Sequence, residues 1–314
     1  MPTFPASGIV PTIDRPEAIG RTLESLRSQD WQARELIIVD ASHDTRTRDL
    51  VTSLTADFEA RGCCLIWQRA VACGAAAQRN EGSATASQPI IWFFDDDILF
   101  EPNCVERLWS ALQTDPQLGG VDAIIVNQHY LPPGPVSRFM FRLMAGKPAD
   151  SYAGRVLGPA INILPEDRPD LPDVVPMEWL YTTCTLYRHQ ALPDPVFPAS
   201  FVGYSLGEDL MLSLLVARKW KLANARTARI FHDSQPGAHK DDSIATNRMA
   251  VVNRYYIMTN GLGRRGLKDH AKLLIWELFT SLGGAVQHGI GSQFWLSLWG
   301  KLRGAFDIAT GAVR

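Results

Sequence analysis

Apolar positions in the first hundred residues fall into short unbroken runs, separated by stretches with a helical repeat. Ser7 to Thr12 (SGIVPT) is short, apolar and β-branched and reads as a strand, and Pro16 then opens a stretch with Ile19, Leu23 and Leu26 on one helical face. Glu35 to Asp40 (ELIIVD) reads as a buried strand ending on an acid, and Thr47 to Glu59 returns to a helical repeat through Leu50, Leu54 and Phe58. Cys63 to Trp67 is a third strand, Ala75 to Ala86 an alanine-rich helix, and Pro89 to Phe94 (PIIWFF) a fourth apolar run that stops at Asp95-Asp96-Asp97. Runs that are apolar at every position belong to strands covered on both faces, and their alternation with helices predicts an α/β fold on a mostly parallel sheet. Ligands of such sheets bind beyond the carboxyl ends of the strands, so Asp14, Asp40 and the Asp95 cluster are expected to line one crevice.

The pattern changes near residue 130. From there to 175 the chain is rich in proline and glycine (LPPGP, AGKPAD, LGPA, LPEDRPDLPD), which predicts a long irregular segment of the kind that is usually functional or mobile. Met177 to Tyr187 is strand-like, Gly207 to Arg218 helix-like, and Ala228 to Phe231 strand-like. From Ile244 onward the chain reads as helical, with breaks expected at Gly261-Leu262-Gly263 and at Gly283-Gly284. The most apolar stretch, Ala271 to Ile290, is interrupted by Lys272, Glu277, Gln287 and His288 and falls short of a membrane span. The opening MPTFPASGIVPTIDR has neither a basic leader nor a long apolar run.

Composition narrows the classes. With 46% hydrophobic and 20% charged residues in 314, a packed core forms and wholesale disorder is excluded. Thirty-one Lys or Arg against 33 Asp or Glu leave a net charge of −2, without the general basic footprint of a nucleic-acid binder. Five cysteines with no Cys-x-x-Cys pair exclude a disulfide framework and a cysteine-built zinc site, and read as reduced thiols of a cytoplasmic protein.

Candidate chemistry concentrates at a few places. Three consecutive carboxylates after a buried strand repel one another unless a cation offsets them, and hard oxygen ligands suit Mg²⁺ or Mn²⁺. A solvated acidic turn before the helix at Glu101-Pro102 explains Asp95-Asp96-Asp97 equally well. Glu208-Asp209 stands at the start of a helix, where acids also serve as caps. His232 is either a packing residue or a ligand, and Arg79 either a surface charge or a phosphate clamp.

Taken in order, the segments GIVPTIDRPEAIGRTLESLRSQ, ELIIVDAS, AAAQRNEG, IIWFFDDDILFEP, EWLYTTCTLYR, GEDLMLSLLVARKW and IFHDSQ resemble the family 2 glycosyltransferases of the GT-A fold, over roughly residues 7 to 260. The resemblance implies a Rossmann-like nucleotide-binding sheet with mixed acceptor-side strands, a catalytic domain over 1–260 and a C-terminal helical extension over 261–314. It implies that Pro11, Thr12, Arg15 and Asp40 serve the nucleotide sugar, Thr12 and Asp40 at its nucleobase and ribose. Arg79 would face the diphosphate, with Asp95 and Asp96 alongside the donor. Asp95 and Asp97 correspond to the metal-holding acids of the DxD motif, with Asp96 a rival ligand to Asp97 because all three positions are aspartate, and His232 to a histidine that completes the metal shell in some members. Asp209, with its neighbour Glu208, matches the catalytic pair that supplies the general base, and Trp179 would line the acceptor cavity. The family often has a glycine near Thr182 and an acid at Ala41, and this chain has neither.

A nucleoside diphosphate leaves only once its developing charge is neutralised, and a separate carboxylate must take the acceptor's proton. The expected activity is therefore metal-dependent, inverting transfer from a nucleoside-diphosphate sugar to a glycan or lipid-linked acceptor, as in cell-surface glycan or glycolipid synthesis. A nucleotidyltransferase and a silent sugar-nucleotide-binding protein are the rival readings. From Arg264 to Arg314, seven Lys or Arg face three acids, with Trp276, Trp295 and Trp299 among apolar helical stretches. That composition suits either peripheral contact with the inner face of a membrane or packing, including a homo-oligomer interface.

Overall fold

Strand β1 (Thr3–Thr12) is the centre of the parallel, N-terminal half of the sheet: it pairs in parallel with β2 (Gln32–Asp40) on one side and β4 (Ile90–Phe94) on the other, and β2 pairs with β3 (Cys64–Arg69). The computed structural model describes residues 1–203, 205–234 and 243–312. Ile9, Val10, Ile37, Ile38, Trp92, Phe93 and Phe94 are fully buried, as expected for strands apolar at every position. Helices α1 (Pro16–Arg27), α2 (Arg46–Ala60) and α3 (Ala75–Thr85) connect the strands; α1 starts on proline and buries Ile19, Leu23 and Leu26. Helix α3 lies close on β1: a Cβ at Gly82 would sit 2.4 Å from Ile9 Cγ2.

Beyond β4 the sheet turns mixed. The remaining strands are β5 (Ile98–Phe100), β6 (Leu118–Ile125), β9 (Val174–Met177), β10 (Cys184–Arg188) and β11 (Lys221–His232), and the order is β3-β2-β1-β4-β10-β6-β11-β5, with β9 also on β11. Strand β10 runs antiparallel to both of its neighbours, β4 and β6, whereas β11 is parallel to β6. Helices α4 (Cys104–Gln113) and α6 (Glu208–Val216) belong to the same unit, which comprises Met1–Tyr130 and Leu164–Gln235.

A second compact unit comprises Leu131–Ile163 and Pro236–Arg314. It contains α5 (Pro135–Ala145), the hairpin of β7 (Val156–Leu157) and β8 (Ile161–Asn162), α7 (Ser243–Tyr256) with a π-helical turn over Ile257–Gly261, α8 (Leu267–His288) and α9 (Ser292–Thr310). No helix among the described residues is long and apolar enough to cross a membrane.

Three expectations need correction. The segment from Met177 to Tyr187 is not one strand: residues 178–183 leave the sheet because their backbone finds other partners. Ser213 Oγ accepts from Leu180 N (2.8 Å) and donates to Leu180 O (3.1 Å), and Thr185 Oγ1 donates to Tyr181 O. Gly283-Gly284 does not break α8, which runs through to His288; the break comes at Gly289, whose φ of 78° ends the helix. The segment 130–175 is not irregular throughout, since Pro135 begins a helix that Gly146, at φ 79°, closes.

Candidate active site

The carboxyl ends of β1, β2 and β4 meet at one edge of the sheet, with Thr12 in register with Asp40. The Asp95–Asp97 triplet follows β4 directly and is pinned at both ends: Asp95 N donates to Thr183 O (3.2 Å), just before β10, and Asp233 N, just after β11, donates to Asp97 O (2.8 Å). Thr22 of α1 holds it from below, donating through Oγ1 to Asp96 O (2.8 Å) and accepting from Ile98 N (3.1 Å).

The three acids have different surroundings. Asp96 is buried, accepts from Thr12 Oγ1 (2.6 Å) and lies 2.6 Å from Arg15 Nη2. Burial pushes its carboxyl up to about 7, against the pull of Arg15 and Thr12. Asp95 and Asp97 instead face His232, and one ligand atom from each of the three lies within 4.8 Å of the others. His232 Nε2 is 3.2 Å from Asp97 Oδ1, while its Nδ1 is 3.1 Å from Gln128 Nε2, so the second ring nitrogen already has a partner that fixes the ring. Two carboxylates and an imidazole fit a divalent metal ion, and the carboxylate oxygens suit Mn²⁺ or Mg²⁺.

Arg79 joins this group to α6. The side chain is buried, with Nη2 2.6 Å from Asp95 Oδ1, Nη1 3.0 Å from Glu208 Oε1, and the Phe197 ring 6.0 Å from its guanidinium carbon. Gly207, at φ 86°, turns the chain into α6, so Glu208 and Asp209 occupy its first turn. Burial raises both carboxyls above the ordinary range, with the Asp209 charge adding to the rise at Glu208 and Arg79 opposing both. Asp209 is half-buried, and its Oδ1 accepts from Leu210 N (2.6 Å). A half-buried carboxyl raised toward neutrality is suited to accepting a proton.

Asp40 is buried, with Oδ1 accepting from Ser42 N (2.9 Å) and Oδ2 from Trp67 Nε1 (2.9 Å). Pro11 pairs with Val39 at the same edge. Arg15 links Asp96 to Asp97, its Nη1 lying 3.2 Å from Asp97 Oδ2. Asp14 stands beside the Asp40 turn, its N donating to Ser42 Oγ (2.7 Å), while its carboxylate accepts from His43 N (2.8 Å) with His43 Nδ1 at 2.7 Å. Trp179 is only 2% exposed and meets Tyr181 edge to face at 5.2 Å.

Several supporting residues went unread in the sequence. Gln78 Nε2 donates to both Thr12 O (2.9 Å) and Val39 O (2.7 Å), tying α3 to the ends of β1 and β2. Its place beside Arg79 was the available signal. Asp122 in β6 is fully buried, accepts from Asn224 Nδ2 (2.8 Å), and is pushed well above the usual carboxylate range by burial. Nothing in its local sequence, GGVDAII, distinguishes it from a polar position on an exposed strand.

The model of the family described as "Glycosyl transferase family 2" matches residues 7–163. Among solved structures, the mannosyltransferase PcManGT from Pyrobaculum calidifontis, in complex with GDP-Man and Mn²⁺, is similar with a TM-score of 0.55 at 16% identity, over 98% of this chain and 79% of that one. S. aureus TarS 1–349 in complex with UDP-GlcNAc is similar with a TM-score of 0.57 at 16% identity, over 99% and 82%. At these identities the likeness is one of fold, the GT-A fold. No curated protein matches by sequence.

Proposed function

Because the chain belongs to glycosyl transferase family 2 and is a glycosyltransferase, we propose that it moves a sugar from a nucleoside diphosphate to an acceptor hydroxyl with inversion, in the synthesis of a cell-surface glycan or glycolipid. The observation that carries this reading is the Arg79 bridge: one guanidinium touches both Asp95 of the metal-binding group and Glu208, the neighbour of Asp209. That shared contact supports assigning acids more than a hundred positions apart to one site.

In this reading Thr12 and Asp40, beside Pro11, take the nucleobase and ribose, and Arg15 and Asp96 frame the floor beneath the diphosphate. Asp95, Asp97 and His232 would hold the divalent ion, Mn²⁺ or Mg²⁺, which supplies positive charge to the diphosphate. Arg79 adds a second positive group on the leaving side. Asp209 accepts the proton of the acceptor hydroxyl while its oxygen bonds to the anomeric carbon and the bond from that carbon to the diphosphate breaks. The diphosphate leaves with the electron pair, and the opposed approach inverts the centre. Trp179 shapes the acceptor side. The acceptor is a glycan or lipid-linked hydroxyl, reached from the inner face of a membrane through residues 264–314.

A thermal-shift panel of UDP-, GDP- and dTDP-sugars with Mn²⁺ tests the reading, since only a nucleotide that binds the folded state raises its stability. One nucleotide class is expected to raise Tm, and the same donor to be slowly hydrolysed to free sugar. No shift with any donor would refute the proposal, and a shift without any hydrolysis or transfer would make the chain a silent binder.

A further inference from the structure

The net charge of −2 hides a division between the two units. The unit of Leu131–Ile163 and Pro236–Arg314 carries fourteen Lys or Arg against six Asp or Glu, a net +8; the other carries seventeen against twenty-seven, a net −10. Within the basic unit the helical acids are already engaged. Glu277 is held by Arg254 (3.0 Å) and Lys301 (2.9 Å), Asp307 by Arg248 (2.5 Å), and Asp269 caps α8 by accepting from Gly266 N (3.0 Å). Arg138, Arg142 and Lys268 are exposed and have no ion-pair partner among the described residues.

The same unit turns apolar side chains to solvent. On α9, Trp295, Trp299, Leu302 and Phe306 recur at spacings of four, three and four and so share one helical face; Trp295 is 59% and Phe306 67% exposed. The opposite face is fixed by contact. Gly300 and Gly304 are buried, and a Cβ at either would lie 2.5 Å from Ile244 O or 2.9 Å from Arg248 O, so α9 rests backbone-close on α7. Helix α8 exposes Leu274, Leu278 and Leu282 on successive turns, and α5 exposes Val136 and Phe139 beside Arg138 and Arg142 with no acid in the helix.

We infer that this basic unit docks on an anionic lipid bilayer, with the apolar faces of α5, α8 and α9 entering the headgroup boundary and the unpaired cations meeting the lipid phosphates. The inference rests on the peripheral membrane contact proposed above. It extends the contact surface to residues 131–163 and names the lipid charge. Exposed apolar faces could instead be covered by the same faces of a second copy, but that pairing sets +8 against +8, whereas an anionic surface attracts the unit. Tryptophan beside lysine and arginine is also the composition of helices that lie in the interface plane.

Co-sedimentation of the full chain with vesicles tests this, using phosphatidylcholine alone and phosphatidylcholine with about one third phosphatidylserine. Binding to the anionic vesicles should exceed neutral binding by at least about tenfold and fall severalfold in high salt. The pair Trp295→Ser and Trp299→Ser should lose about tenfold on anionic vesicles. The pair Lys268→Gln and Arg142→Gln should also lose about tenfold or more, at about fivefold per cation. Neither pair should change the donor-induced rise in Tm. Equal binding to both vesicles, binding indifferent to salt, or a dimer in light scattering that the Trp pair dissolves would overturn the inference. Because sedimentation is read without donor, its failure leaves the transferase reading standing, and an absent donor response leaves the membrane inference standing.

Discussion

Replacing Arg79 with methionine keeps most of the side-chain volume and removes the charge that separates two acids. Glu208 is the more costly of the two, since its side chain is 11% exposed against 24% for Asp95, which keeps some solvation. Removing one partner of a buried pair costs about 3–5 kcal/mol; the solvent share of Asp95 places Arg79→Met near the lower end, about 3 kcal/mol at pH 8. Glu208 already has a raised carboxyl, and without Arg79 it rises further. An acid raised in the folded state weakens folding only above its unfolded value, about 4.3. The deficit should therefore be small at pH 4, grow through neutrality and level off once pH exceeds the folded value. In differential scanning calorimetry the variant should melt about 6–12 °C below the parent at pH 8, and within a few degrees of it at pH 4. A loss below about 1 kcal/mol at pH 8, or one that does not shrink on acidification, would refute the argument that Arg79 is the charge holding this site together.

The remaining predictions concern individual acids. Asp209→Asn should bind donor with near-parental affinity in the thermal-shift assay but lose about 10²–10⁴ in kcat, and full activity would dismiss Asp209 as the base. In the parent enzyme, kcat/KM should fall on the acid side below a pH above the ordinary carboxylate range, because the base must be deprotonated and burial raises Asp209; an acid limb at pH 4 would contradict this. Asp97→Asn should weaken donor binding and abolish the response to Mn²⁺, and an unchanged manganese titration would remove Asp97 from the metal group. Asp122→Asn should raise Tm at pH 8 and leave it nearly unchanged at pH 4, because the buried acid with its raised carboxyl costs stability only where the unfolded chain ionises it; a lower Tm at pH 8 would refute this sign.

The nucleotide-side half was legible because its signals are local. Unbroken apolar runs such as ELIIVD and PIIWFF need no distant partner to be recognised as doubly covered strands, and their final acids fall at the sheet edge by construction. What failed depends on contacts far along the chain. The interruption before β10 is made by Ser213, thirty-three positions away, which takes both backbone groups of Leu180. The link from Arg79 to Glu208 spans 129 positions, so the arginine's local sequence could show a charge but not what it joins. Asp14 pairs with the exposed His43, twenty-nine positions away, a contact between two loops that neither local sequence announces. Gly283-Gly284 looked like a stop because glycine is poor in helices, yet nothing lies within 4 Å of where either Cβ would be, and the cost of about 1 kcal/mol each did not end the helix.

The reversed direction of β10 has an evolutionary consequence. Lying antiparallel between β4 and β6, it enters the sheet where β4 leaves, so Thr183 arrives beside the Asp95–Asp97 triplet, its carbonyl accepting from Asp95 N (3.2 Å), while the hydrogen-bond ladders of β1, β2 and β3 pass elsewhere. Insertions or exchanges in that approach can reshape what is admitted as the incoming alcohol without shifting a single rung beneath the nucleotide. On the function proposed above, a lineage built on this plan can acquire new acceptors while the residues assigned to the activated sugar are inherited intact.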